Sequence, residues 1–129
     1  MAESGKAMMF ERMDCVCIHT DDLAASLAFY GRMGMREAWK LDRVTAQGVP
    51  WSLVGLDFPD STSSQLTLST HPDRKTAEVE IRVADVGEAF RALSADPAIA
   101  WIVEPFAIEN GHVAVMRAPD GNLFVLVGG

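Results

Sequence analysis

Three groups of residues in this chain have types and spacings that could do chemistry. Cys15, Cys17 and His19 form a C-x-C-x-H series. Alternate side chains of an extended strand share a face, so both thiols and the imidazole would point the same way. Such a face could hold a soft metal, or carry a thiol activated by His19. Neighbouring positions on one strand face lie about 6.5–7 Å apart, which makes joint ligation of one ion awkward. Small cysteines also fill crowded sheet faces without any chemistry. Glu78, Glu80 and Arg82 repeat the alternation with two acids and a base. Their carboxylates could hold a cationic ligand, or act as general bases if burial raised their pKa. The plainer alternative pairs Arg82 with a neighbouring acid. Trp39, Trp51 and Trp101 complete the set. An indole can stack on a planar ligand, receive a cation or serve as packing, and Trp39 and Trp51 are the first candidates for ligand contact. His71 and His112 read as loop or surface residues.

Two copies of one local unit must position these groups. In the first, Val16 and Ile18 alternate with Cys15, Cys17 and His19, which predicts a strand half apolar and half polar. Asp21 and Asp22 supply N-cap carboxylates, and Leu23, Leu27, Tyr30 and Met33 recur at helical spacing. Gly34 follows where a glycine ends a helix. The same order returns sixty-three positions downstream in E-V-E-I-R-V-A-D-V-G-E-A-F-R-A-L, residues 78–93. There Glu78 aligns with Cys15, Arg82 with His19, Asp85 with Asp22 and Val86 with Leu23. Val79, Ile81 and Val83 form the apolar strand face, and Val86, Ala89, Phe90 and Leu93 the helix stripe. A repeated supersecondary unit sets the reading for everything between the copies.

After the first helix, strands are predicted over Arg36–Arg43, Val49–Phe58 and Gln65–Thr70, with a turn at Thr45–Gly48 and a polar loop at Pro59–Ser64. His71–Thr76 links the modules. The second module reads as a strand over Ala77–Val83, a helix over Asp85–Ser94, and strands over Ala100–Ile108, His112–Arg117 and Asn122–Val127. Asn110-Gly111 is the expected two-residue hairpin loop, and Ala118-Pro119-Asp120-Gly121 suits a tight turn. The chain is therefore expected to be α+β, a single domain over residues 1–129. Its two tandem βαβββ modules are placed at about 11–70 and about 75–128. Met8, Met9 and Phe10 form an apolar arm suited to docking on a neighbour, which motivates a homodimer.

Composition bounds the function. A chain of 129 residues that is 49% hydrophobic can bury a real core. Eleven Lys and Arg against eighteen Asp and Glu give a net charge of −7, which argues against nucleic-acid binding. No apolar run reaches the ~20 residues of a membrane span, and the first residues lack a signal peptide's pattern. A cytoplasmic location is the expectation, with Cys15 and Cys17 reduced.

The doubled unit, with D-L-A-A-S-L-A-F-Y early and A-P-D-G-N-L-F-V-L-V last, resembles the vicinal oxygen chelate superfamily of glyoxalases, bleomycin-resistance proteins and extradiol dioxygenases. The resemblance implies a curled mixed sheet around a cleft, with helices outside. It further implies four metal positions, which fall here on Cys15, Thr67, Glu78 and Val125. Valine carries no donor and a threonine hydroxyl is a poor ligand, so neither a metal nor any other cofactor is expected. The expected function is a metal-free small-molecule binding protein of the bleomycin-resistance-like type, sequestering an organic ligand, cationic or aromatic. The competing reading is a glyoxalase-type lyase or isomerase with an atypical metal site, or general-base chemistry from Glu78 or Glu80. Ligand contacts are expected from Cys15, Cys17, His19, Trp39, Trp51, Thr67, Glu78, Glu80, Arg82 and Val125.

Overall fold

The computed structural model describes residues 9–129. Both modules have the expected order, strand-helix-strand-strand-strand. The first contains β1 (Arg12–His19), α1 (Leu23–Arg32), β2 (Arg36–Val44), β3 (Pro50–Asp57) and β4 (Gln65–Ser69). The second contains β5 (Glu78–Val83), α2 (Val86–Leu93), β6 (Ala100–Ile108), β7 (Gly111–Arg117) and β8 (Leu123–Gly128). The chain packs as two compact units: one is Cys15–Glu78, and the other joins the residues up to Asp14 to Val79–Gly129.

In the 15–78 unit the strand order is β2-β3-β4-β1, antiparallel except that β1 runs parallel to β4. The parallel pair follows from sequence order, since two strands and a helix intervene and carry the chain back across the sheet. Ile18, Val54, Leu56, Leu66 and Leu68 form one apolar face, and α1 lays Leu23, Leu27 and Tyr30 on it around Met35. Local chemistry sets both ends of α1. Asp22 accepts a hydrogen bond from the Ala25 N–H at 3.0 Å. At the other end, Gly34 has φ +99°, its N–H donates to the Gly31 carbonyl, and the Met35 N–H reaches back to the Tyr30 carbonyl. This six-residue closure satisfies the last free carbonyls and turns the chain into β2. Met33 is corrected: it is the cap residue and 60% exposed, because the helix ends before it can join the stripe.

The second unit repeats the plan, with order β5-β8-β7-β6 and β5 parallel to β8. Asp85 caps α2 by accepting from the Glu88 N–H. Val86 and Ala89 pack with Val83, Ala114, Met116 and Leu126, and Trp101 and Phe124 close over them. The strand limits shift by a residue or two from expectation, as ends usually do. Pro105 is tolerated in β6 because β7 is that strand's only partner in this unit.

One expectation changes here. The hairpin loop between β6 and β7 is Glu109-Asn110, because Ile108 pairs with Gly111. No non-glycine residue among those described has positive φ, as an Asn-Gly loop of the mirror-image type requires. Gly111 is needed for a different reason: a Cβ there would fall 2.1 Å from the Gly128 carbonyl oxygen. Met9 packs on the core of its own chain, and the Phe10 ring lies 6.2 Å from that of Phe124. Met8 lies outside the described residues.

Candidate functional site

Because α1 covers the even-numbered face of the first sheet, the odd-numbered residues of β1, β3 and β4 share the opposite face. Parallel register sets Cys15 beside Gln65, Cys17 beside Thr67 and His19 beside Ser69. Antiparallel register then sets Thr67 beside Gly55 and Ser69 beside Leu53. The assumed strand parity of Cys15, Cys17 and His19 therefore holds. Both cysteines are reduced, Cys15 buried and Cys17 half-buried. His19 is nearly covered, its Nε2 3.8 Å from the Asp21 carboxylate.

Trp39 reaches this face through an irregularity. Glu37 pairs with Leu56 but Trp39 pairs with Gly55, so Ala38 is an extra residue in β2. A bulge of this kind re-aims the side chains beyond it. The indole then lies over Gly55, whose lack of a side chain provides the space: a Cβ there would sit 2.2 Å from two indole atoms. Its Nε1–H donates to Gln65 Oε1 at 2.9 Å, and Gln65 Nε2 donates to Asp57 Oδ1 at 2.8 Å. Trp51, also odd-numbered on β3, packs edge-on against His71 with ring centroids 4.7 Å apart. His71 is thus half-buried rather than a surface residue. Burial, then the charge of Arg74, hold its pKa below the ordinary 6.5. Its Nδ1 accepts from the Asp73 N–H. Trp101 belongs to the core, 4.7 Å from the Phe90 ring centroid.

Thr67 is 3% exposed, and its hydroxyl has no hydrogen-bond partner among the described residues, a condition it shares with the Trp101 Nε1–H. An unpaired buried hydroxyl costs about 1–3 kcal/mol, so folded proteins keep few of them.

The charged residues are more fully paired than their spacing suggests. Arg74 donates to Glu78 at 2.9 Å, four residues along, and the Glu78 side chain is largely covered. In the other unit Arg82 donates through Nε and Nη2 to Asp14 Oδ2, at 3.1 and 2.8 Å. Arg82 is therefore not the sole offset to Glu78 and Glu80: it is committed to Asp14, while Arg74 neutralises Glu78. Glu80 pairs in register with Val125, which is half-buried on β8.

These positions do not fit the family's metal. Val125 has no donor atom and Glu78 is held by a guanidinium. Among the described residues no three His, Cys, Asp or Glu side chains come together as a metal-binding group. Sequence reasoning missed Asp57, Gly55 and Arg74 as parts of this arrangement. Only Gln65 carried a signal, as the residue alternating with Thr67.

The sequence profile of the Glyoxalase/Bleomycin resistance protein/Dioxygenase superfamily matches residues 12–126. The chain belongs to that superfamily. Among solved structures, methylmalonyl-CoA epimerase from Mycobacterium tuberculosis is similar with TM-score 0.72 and 17% identity, over 95% of this chain and 91% of that one. A hypothetical protein from Bacillus halodurans C-125 gives TM-score 0.70 and 18% identity, over 92% and 94%. A variant of Streptomyces coelicolor methylmalonyl-CoA epimerase, in complex with 2-nitronate-propionyl-CoA, gives 0.66 and 20%, over 93% and 95%. At such identities the likeness speaks for the superfamily's fold. No functionally curated protein matches the chain in sequence. No helix among the described residues is long and apolar enough to cross a membrane.

Proposed function

We propose that this superfamily member binds a small organic molecule without a metal, on the first sheet's face opposite α1, and acts by holding it rather than by turnover. The observation that carries the reading is Thr67. Its buried hydroxyl lacks a partner among the described residues, and it sits between Cys17 and Gly55 in register. A ligand atom at that point would complete the hydrogen bond. Metal-independence follows from the donor chemistry, since two of the four family positions, Thr67 and Val125, offer a weak ligand and none. The ion pair of Glu78 with Arg74 weakens a general-base role, because the carboxylate is already engaged within its own chain.

Native mass spectrometry with elemental analysis tests this, together with a thermal-shift screen of organic fragments run in EDTA. Retained or stabilising organic ligands that persist in EDTA are the expected result. Titration with Zn²⁺, Ni²⁺ or Mn²⁺ should show no tight stoichiometric binding. One equivalent of metal that disappears in Cys15→Ala, or an EDTA-sensitive epimerisation of an acyl-CoA such as the similar structures' names describe, would overturn it.

A further inference from the structure

Resting on that reading, we propose that the ligand is a planar heterocycle with an amide-like edge, stacked on the Trp39 indole and read by the Gln65 side chain. Three features converge. The first is the seat of the ring. Gly55 lies in the middle of the sheet with β2 on one side and β4 on the other, and the indole occupies the volume a side chain would take. The half-buried ring is thus pressed against backbone, which suits a rigid stacking platform better than a mobile lid.

The second feature is the direction of Gln65. A primary amide has two N–H donors and two carbonyl lone pairs. Trp39 takes one lone pair and Asp57 takes one N–H. These two bonds distinguish the oxygen from the nitrogen, because the indole only donates and the carboxylate only accepts. Among the described residues no further partner takes the other N–H or the other lone pair of Gln65, and their orientation is already fixed. A group that offers an acceptor beside a donor, such as a lactam or imide edge, complements them. The third feature is Thr67, two residues along the same face of β4, whose hydroxyl can add one more bond in either sense. Asp57 acts here as a positioning residue, through Gln65.

The test compares two uncharged three-ring probes, lumichrome and acridine. Lumichrome carries imide-type N–H and C=O groups, and acridine carries a single ring nitrogen. Binding is read by tryptophan quenching and by calorimetry at a pH where both are neutral. Lumichrome should bind the wild type more tightly than acridine by about tenfold, the value of one or two well-placed hydrogen bonds. Trp39→Ala should weaken both probes by about tenfold. Gly55→Ala keeps the ring and removes its seat, so it should weaken both similarly while circular dichroism stays native. Gln65→Leu keeps the bulk and removes the amide, so it should leave acridine within about twofold of wild type and bring lumichrome down to the same affinity.

Absence of lumichrome binding, or equal binding of both probes to the wild type, overturns the inference. So does binding within about twofold of wild type in both Gly55→Ala and Trp39→Ala, since stacking on a rigid ring is worth more than that. Those failures leave the broader binding reading to the EDTA screen, which decides it separately.

Discussion

Thr67→Val should make the free protein more stable and the liganded protein weaker. Valine has nearly the shape of threonine, so the methyl packing against Cys17 and Gly55 is retained. What changes is a buried hydroxyl, on a residue 3% exposed, that has no partner among the described residues. A buried unsatisfied polar group costs about 1–3 kcal/mol, and an apolar replacement of the same shape recovers part of that, about 1 kcal/mol. For a chain of 129 residues this raises Tm by about 3–5 °C in ligand-free buffer. With a ligand that bonds to the hydroxyl, the same change leaves a ligand atom unpaired and weakens binding by about 5–30-fold. Thermal melts and calorimetry on wild type, Thr67→Val and Thr67→Ser check both signs. Serine keeps the hydroxyl and loses the methyl, so it should be less stable yet hold the ligand. A fall in Tm of about 3 °C or more in ligand-free Thr67→Val would refute the reasoning, because it would mean the hydroxyl is satisfied in the folded protein.

Other expectations are independent of the ligand. Because the folded-state pKa of His71 lies below the ordinary 6.5, the unfolded chain takes up that proton first as pH falls. Stability due to neutral His71 is therefore present above pH 6.5 and is lost below it. The Tm difference between about pH 7.5 and about pH 5.5 should shrink in His71→Asn, measured by scanning calorimetry. Gly34→Ala should lose about 1–2 kcal/mol in urea unfolding, since Gly34 sits at φ +99°. Ala89→Leu should lose about 1–3 kcal/mol in the same assay, because Ala89 is buried between α2 and its sheet with no room for three more carbons.

Much of the fold was legible in residue order because its signals are local. Alternation of Val16 and Ile18 with Cys15, Cys17 and His19 depends only on strand geometry, and the folded chain keeps that parity. Asp22 and Asp85 announced their helices because a cap bonds to an N–H three residues on. Gly34 marked its end because only glycine takes that φ cheaply. Repetition of this local grammar at a constant offset was enough to show two like modules.

Tertiary structure decided which face partners each polar side chain finds. Nothing local says that Ala38 bulges, yet that one extra residue puts Trp39 over Gly55, and the space there exists only because β2 and β3 pair in this register. Asp57 and Gln65 meet because β3 turns back along β4. Asp14 and Arg82 are 68 positions apart in the chain, so the two hydrogen bonds from Arg82 to one Asp14 oxygen could not be read from spacing. Gly111 looked like a turn residue from its neighbour Asn110, but the nearby Gly128 carbonyl fixes its role across the sheet. Caps and alternation are properties of a few consecutive residues. A buried hydroxyl without a partner, or a ring seated on a glycine, depends on strands that meet only after the chain has folded.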